Sequence, residues 1–279
     1  MRHSEMQPRH FAVALITFAL SALAEPALAE PLVVAPAPVF TAPPVPSLDA
    51  VPQRSFRGDV AAWPSRLWED ARALPSWENA QVLSLGGGWA IVAAEGFDRG
   101  IRRGVARNER RMGQANDLFS VSGHPLMHIG VAGLVYGGSF AADDRRLHAF
   151  SLDLFNAFVL TDVSSQTLKY AFDSDRPNGE RFGFPSGHAA SSFAFASVVQ
   201  SHYGLVPGLA AYALAAGVGW HRVDARKHEL SDVLGGAVIG YVIGKSVTAD
   251  DTFQKGNIRI VPYSDPYEGG VGIGLAWSF

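Results

Sequence analysis

The chain has no cysteine among its 279 residues. It therefore forms no disulfide, and an exported form must gain its stability from its core. It also lacks the cysteine that is lipidated in bacterial lipoproteins, which excludes that route to a membrane.

Strong charge of one sign is also missing. The 23 Lys and Arg residues nearly balance the 26 Asp and Glu residues, the formal net charge is -3, and no polybasic run occurs. Because nucleic-acid binding depends on concentrated positive charge, no nucleic-acid partner is predicted.

Long apolar runs are scarce as well. Each apolar segment is long enough for a core helix and marginal for a membrane span, which needs about 20 residues. The mean hydropathy of +0.09, with 18% charged residues, is low for a six-span protein of this length. This pattern favours an all-α bundle that is soluble or peripheral. The predicted helical segments are 82–97, 126–142, 147–160, 189–199, 205–220 and 233–247.

Residues 1–29 are predicted to be a secretory signal. Arg2 and Arg9 precede an apolar run at 11–24, and small residues at 27–29 suit a cleavage site. An uncleaved anchor is the alternative, although the run is short for a transmembrane helix. We expect an exported protein of the periplasm or cell envelope.

Residues 30–56 form a leader dominated by Pro, Ala and Val with almost no charge. Such a stretch favours extended polyproline II and builds no core, so we interpret it as a spacer. A helical domain at 57–250 and a tail at 251–279 are expected to follow it.

Segment 61–77 has apolar residues at helical spacing, with Pro64 placed to occupy a first helical turn. Its three tryptophans are predicted to pack on the body of the protein, and a membrane interface is the alternative. They are Trp63, Trp68 and Trp77.

The stretch 98–111 is rich in arginine. We interpret it as a solvated helix face or connecting loop, since most charge runs are of that kind. A contact surface for anionic lipid head groups is the alternative.

Glycine recurs every four residues at Gly236, Gly240 and Gly244. This spacing lets two helices approach closely, in a membrane or in a tight soluble bundle. We expect the helix that carries Asp232 to pack hard against a neighbour.

Three polar clusters lie between Lys169 and Asp232. A phosphoryl transition state carries charge on three peripheral oxygens, so its site needs fixed positive charge and hydrogen-bond donors. Three cations in these clusters supply that charge. The second cluster precedes an Ala-rich run free of Pro and Gly, which predicts an anion-binding helix N-terminus at Ser186 and Gly187. The clusters are Lys169 with Arg176-Pro177, then Pro185-Ser186-Gly187-His188, then Arg222 with His228 and Asp232.

His228 and Asp232 are four residues apart, which on a helix places them on one face. An Asp that accepts the Nδ1–H of a histidine fixes its tautomer and leaves Nε2 free to attack. His188 then remains to protonate the departing alkoxide.

Together the three clusters resemble the signature of the type 2 phosphatidic acid phosphatase (PAP2) superfamily. That superfamily includes lipid phosphatases, bacterial acid phosphatases and vanadium-dependent haloperoxidases. The resemblance implies a helical bundle of the PAP2/haloperoxidase type and a metal-free mechanism with no cofactor. It implies that His228 is the nucleophile forming a phosphohistidine, Asp232 its partner and His188 the general acid. The implied phosphate-binding residues are Lys169, Arg176, Ser186, Gly187 and Arg222.

The sequence departs from this pattern in two places. His221 stands where the family usually has Ser before the third-cluster Arg, which puts one phosphate hydrogen bond in doubt. The interval between Pro177 and Pro185 is short, so we expect an open pocket or a lid contributed from elsewhere.

The remaining histidines and acids that could bind a ligand or a metal are predicted to have structural roles. The Ser122-Gly123-His124-Pro125 run echoes the second cluster without its cations, and a helix cap is expected there. Further histidines are expected to be satisfied structural residues, namely His128, His148 and His202. Three acids near the clusters are not expected to bind metal, namely Asp173, Asp175 and Glu180.

The tail is predicted to form a short β-hairpin, with strands at 257–263 and 271–279 around a Gly-rich turn. The alternating last strand, ending in Phe279, is typical of outer-membrane barrels, but two strands cannot close one. We expect the hairpin to lie on the helical body or to pair with another subunit, with outer-membrane association as the alternative.

The sequence thus predicts an exported phosphatase acting on phosphate monoesters. Soluble monoesters, phosphatidate and polyprenyl diphosphates all remain candidate substrates. One alternative is a vanadate-dependent haloperoxidase using the same pocket. Another is a non-catalytic cell-envelope protein, against which the intact set of site residues argues.

Overall fold

The computed structural model describes residues 55–107, 119–121, 123–248, 258–264 and 271–277, the two C-terminal stretches by their backbone alone. The predicted signal peptide and nearly all of the Pro-rich leader lie outside these residues. Ser122, which was expected to contribute a helix cap, also lies outside them.

Helix α1 is Phe56–Ala73, and it begins where Ser55 accepts a hydrogen bond from the Gly58 N–H at 3.0 Å. Pro64 therefore lies inside the helix, and its predicted place in the first turn is wrong because the Ser55 cap starts the helix two turns earlier.

The three tryptophans of this region do not share one environment. Trp63 is half-buried and donates from Nε1 to Oδ1 of Asn156 at 2.8 Å. Trp68 and Trp77 are 63% and 60% exposed, so the predicted packing on the body is wrong for these two.

The remaining helices follow in chain order. They are α2 (Trp77–Gly96), α3 (Asp98–Arg107), α4 (Pro125–Ala141), α5 (Arg145–Phe172), α6 (Gly187–Tyr203), α7 (Leu205–Asp224) and α8 (Leu230–Val247). The six apolar segments all lie within these helices apart from single terminal residues. Helix α5 runs a further three turns past residue 160, because its last part keeps helix-compatible polar residues where the apolar pattern stops.

Helices α6 and α8 pack closely against each other at the centre of the bundle. A side chain at Gly236 or Gly240 would overlap the carbonyl oxygen of Ser186 or Ala190, and a Cβ at Gly244 would lie 2.7 Å from the Ala194 oxygen. The predicted tight packing of the helix carrying Asp232 is confirmed, and its neighbour is α6.

The main core is built from α4, α5, α6 and α8, with Leu154, Ala157 and Val198 fully buried. A smaller cluster joins Val105 of α3 to one residue each of α6, α7 and α8, namely Ala189, Val223 and Val233. Each of these last three residues directly follows a candidate site residue, so this cluster packs next to His188, Arg222 and Asp232 along the chain.

Strands β1 (Ile258–Ser264) and β2 (Val271–Trp277) pair antiparallel, with Ile258 opposite Trp277. The placement of this hairpin on the helical body stays a prediction.

Among the described residues, α8 is the one helix with the length and apolar character to cross a membrane, at a mean hydropathy of 1.3. Two-thirds of it, 67%, is buried inside the protein. A core helix of a soluble protein passes the same test, so this finding is weak evidence for a span.

Candidate active site

The N-terminus of α6 forms one wall of the site. Ser186 is the N-cap residue, is fully buried, and its Oγ accepts a hydrogen bond from the Ala189 N–H at 3.4 Å. Helix α6 begins at Gly187, so the predicted helix N-terminus is confirmed. The first N–H groups of a helix have no partner within it, and they suit an anion.

The N-termini of α6 and α8 are tied side by side. The Ser186 N–H donates to the backbone oxygen of Asp232 at 2.9 Å. Gly236, one turn further along α8, leaves room for this approach because a side chain there would strike the Ser186 oxygen. The first turn of α6 and the Asp232 carboxylate are therefore held in a fixed position relative to each other.

His228 and Asp232 are brought together, but not along one helix face. Helix α8 begins at Leu230, so His228 precedes it, and the prediction that a helix presents both residues is wrong. The pair meets across the helix start, with Nδ1 of His228 3.4 Å from Oδ2 of Asp232. The same Oδ2 accepts the backbone N–H of Glu229 at 3.0 Å, so the carboxylate also caps the helix.

Both members of this pair are buried, with His228 2% and Asp232 6% exposed. Burial lowers the pKa of His228, and the nearby carboxylate of Asp232 acts in the opposite direction. At 3.4 Å the contact is longer than a good hydrogen bond, and Nδ1 of His228 has no hydrogen-bond partner among the described residues. A lowered pKa favours the neutral imidazole, which is the state a nucleophile requires.

Lys169 lies in the last turn of α5 and is buried. Its Nζ donates to the backbone oxygens of Phe182 at 2.9 Å and Pro185 at 2.7 Å, so it fixes the loop that leads into Ser186. Burial, followed by the positive charge of Arg176, lowers the pKa of Lys169 to about 8.

Arg176 is held by an acid of the same loop. Its guanidinium contacts Oε2 of Glu180 at 2.7 Å, and Lys227 contacts Oε1 of that carboxylate at 3.0 Å. Hydrogen bonds lower the pKa of Glu180 to about 2, and the one from Lys227 has the largest effect. Glu180 is therefore engaged with two cations, and Asp173 pairs in the same way with Arg181.

Arg222 lies in the last turn of α7. Its Nε is buried and has no hydrogen-bond partner among the described residues. Burial and the charge of Arg176 lower the pKa of Arg222 to about 10. A buried guanidinium donor without a partner suits an anionic ligand.

His188 is the second residue of α6. Burial, then the positive charge of Arg222, lowers its pKa to about 3. Its ring packs edge to face against that of His124, with centroids 6.0 Å apart.

The approach of His124 was missed in the sequence. The run containing it was expected only to cap a helix, and its backbone oxygen does accept the N–H groups of Met127 and His128 where α4 begins. The same turn also reaches the site, since a Cβ at Gly123 would lie 3.2 Å from Cδ2 of His188. The repetition of the Gly187-His188 pair in Gly123-His124 was the sequence signal that could have indicated this approach.

The other predicted structural histidines have packing or hydrogen-bonding roles. His128 stacks on Phe158 with ring centroids 5.0 Å apart, and His202 lies 2.8 Å from Oδ2 of Asp153. His148 contacts Ser139 and Asp59 at 3.0 and 3.2 Å. These contacts agree with a structural role for the three histidines, which stays a prediction. His221 is buried on α7, and its effect on phosphate binding stays a prediction.

Two residues of the charged stretch 98–111 also reach the site, which the sequence did not indicate. Asp98 accepts hydrogen bonds from Ser231 in the first turn of α8, and Arg102 forms an ion pair with Glu229 at 2.6 Å. Burial raises the pKa of Glu229 to about 7, against the charge of Arg102.

The family-model comparison covers the part of the chain that carries the second and third clusters, but not Lys169 or Arg176. Residues 178–254 match the family model of the PAP2 superfamily. Over 81 residues the chain is 37% identical to the lipid A 1-phosphatase of Porphyromonas gingivalis, which covers 28% of this chain and 18% of that relative. The match thus spans less than a fifth of the relative's length.

Two solved structures resemble the fold. One is the transmembrane PAP2-type phosphatidylglycerolphosphate phosphatase of Bacillus subtilis, at a TM-score of 0.51 and 19% identity, over 66% of this chain and 96% of that one. The other is LpxE of Aquifex aeolicus, at a TM-score of 0.46 and 20% identity, over 57% of this chain and 98% of that one. The predicted resemblance to the PAP2 superfamily and the helical fold class are confirmed.

Proposed function

We propose that this chain, whose residues 178–254 match the PAP2 superfamily model, is an exported phosphatase that hydrolyses phosphate monoesters through a phosphohistidine. The observation that carries the proposal is electrostatic. In addition to burial, the charge of Arg176 helps to lower the pKa of both Lys169 and Arg222, and that of Arg222 also acts on Lys169, beside a buried His228–Asp232 pair. Cations that the fold holds close together despite their mutual repulsion favour the binding of a multiply charged anion such as phosphate.

In the first step, Nε2 of His228 attacks phosphorus while Asp232 accepts the Nδ1–H. The P–O bond to the leaving group breaks, and His188 donates its proton to the departing oxygen. Arg222 and the first turn of α6 hold the peripheral oxygens, where negative charge is spread in the transition state.

In the second step, His188 accepts a proton from water as that water attacks the phosphohistidine. The P–N bond breaks, inorganic phosphate forms, and His228 returns to its neutral state. A phosphate dianion raises the pKa of His188 by opposing the charge of Arg222, which supports its role as an acid in the complex.

Lipid phosphates are the favoured substrates. Large apolar side chains are exposed over the described surface, among them Leu85 at 72%, Trp89 at 67% and Val206 at 78%. Extensive exposed apolar surface marks contact with a membrane or a partner. The relatives named for lipid A and phosphatidylglycerolphosphate point in the same direction.

The test is phosphate release by purified protein with a chelator present, comparing an aryl phosphate, phosphatidic acid and a polyprenyl diphosphate. We expect activity without added metal and fastest release from a lipid substrate. ³²P-labelled substrate should leave an acid-labile, alkali-stable label on the wild-type protein and none on His228→Ala. Normal turnover by His228→Ala would refute the proposal.

A further inference from the structure

We infer that Asp98 and Arg102 of helix α3 are positioning residues for His228 and act through the first turn of α8. The inference rests on the proposed function, because it takes His228 as the group that attacks phosphorus. Neither α3 residue is placed in contact with the substrate.

The first link is a buried carboxylate. Asp98 is 4% exposed, and its Oδ1 and Oδ2 accept the backbone N–H and the hydroxyl of Ser231 at 3.2 and 2.6 Å. Burying a carboxylate is unfavourable unless its oxygens are satisfied. Here the bonds go to the residue before Asp232, so Asp98 binds one of the N–H groups that the start of α8 leaves without a partner.

The second link is the Arg102 ion pair with Glu229, the N-cap residue of α8. The backbone N–H of Glu229 donates to Oδ2 of Asp232, the oxygen that faces Nδ1 of His228. Helix α3 therefore holds both Glu229 and Ser231, the residues immediately next to the reacting pair.

This support is needed because His228 lies outside the helix. Its backbone N–H donates to the Arg222 oxygen at 3.1 Å instead of joining the hydrogen bonds of α8. The distance between its ring and Asp232 therefore depends on how the first turn of α8 is held. Helix α3 is itself fixed, because Val105 is buried against Ala189 and Val233.

The test uses variants that each weaken one link: Ser231→Ala removes the hydroxyl bond to Asp98 and keeps the backbone one, and Arg102→Gln removes the ion pair with Glu229. The matched control for the first is Ser246→Ala, since Ser246 lies on the same helix, is also buried, and accepts a hydrogen bond from Asn79 of α2 at 2.8 Å. The control for the second is Arg103→Gln, an exposed arginine of α3.

For Ser231→Ala and Arg102→Gln we expect kcat to fall by about tenfold with KM little changed, below the ~10²-fold cost of a 1 Å misplacement. Burst-phase formation of the phosphoenzyme should slow by the same factor. Arg102→Lys, which keeps the charge, should recover part of kcat. Ser246→Ala and Arg103→Gln should keep kcat within twofold, whatever their melting temperatures.

A second measurement does not need turnover. Orthovanadate resembles the phosphoryl transition state, and its dissociation constant should rise about tenfold in Ser231→Ala and stay unchanged in Ser246→Ala. Equal kcat and equal vanadate affinity in these two variants would overturn the inference and leave the proposed phosphatase standing. Inactive wild-type protein would instead refute the proposed function, and the vanadate comparison would still decide the positioning role.

Discussion

The close contact of α6 and α8 gives a sharp prediction for Gly240→Ala. A Cβ at this position would overlap the backbone of Ala190 and would also lie 2.9 Å from the Ala194 nitrogen. Backbone atoms cannot rotate away, so the helices must separate. Overpacking of this kind costs about 1–3 kcal/mol. Replacing a helical glycine by alanine returns about 0.5–1 kcal/mol.

We therefore expect Gly240→Ala to lower the free energy of unfolding by about 1 kcal/mol net, which is roughly 2–4 °C in Tm for a domain of this size. The control is Gly88→Ala in α2, where a Cβ meets nothing within 4 Å, and this variant should gain about 0.5–1 kcal/mol. Thermal unfolding measures both.

Activity provides a second measurement for the same variant. Helix α6 carries His188 and helix α8 carries Asp232, so a wider spacing separates the acid from the nucleophile's partner, and kcat should fall. If Gly240→Ala were as stable and as active as Gly88→Ala, the argument that this contact sets the geometry of the site would be wrong.

Three further predictions concern the chemistry. Arg222→Ala should lower kcat/KM by roughly 10²–10³-fold, which is the effect of losing one hydrogen-bond donor to the charge that develops in the transition state. Arg222→Lys should recover only part of this loss. A near-normal kcat/KM in Arg222→Ala would exclude Arg222 from the phosphate site. The pKa values of His188 and His228 are both lowered in the free protein, so the plot of kcat/KM against pH should be bell-shaped with its maximum below pH 6.5. The plot of kcat should stay high to a higher pH, because bound phosphate raises the pKa of His188. A flat profile from pH 4 to 8 would contradict two catalytic histidines. Because folding lowers the pKa of His188 to about 3, folded protein binds fewer protons than unfolded protein below pH 6.5, and this residue costs stability as pH falls from there towards 3. The Tm of His188→Asn should therefore fall less on acidification than that of wild type, and parallel Tm curves would refute this burial effect.

The sequence by itself determined the features that depend on near neighbours. The cap at Ser186 and the start of α6 followed from a capping residue before an Ala-rich run, and the glycine spacing of α8 predicted a close helix contact. Residue types and their order predicted three phosphate-binding cations and two catalytic histidines, and these roles stay a proposal. These signals are local, since a cap or a glycine face acts within a few residues.

Only the tertiary structure decided how the clusters meet. Spacing alone placed His228 on the helix of Asp232, yet the helix begins at Leu230, because the Asp232 carboxylate caps its start. His124 reaches His188 only through packing of the turn before α4. Asp98 reaches Ser231, 133 positions away, because burial of Val105 lays α3 against the start of α8. Contacts between residues so far apart in the chain are set by the packing of apolar faces, and no local pattern specifies which polar side chains that packing brings together.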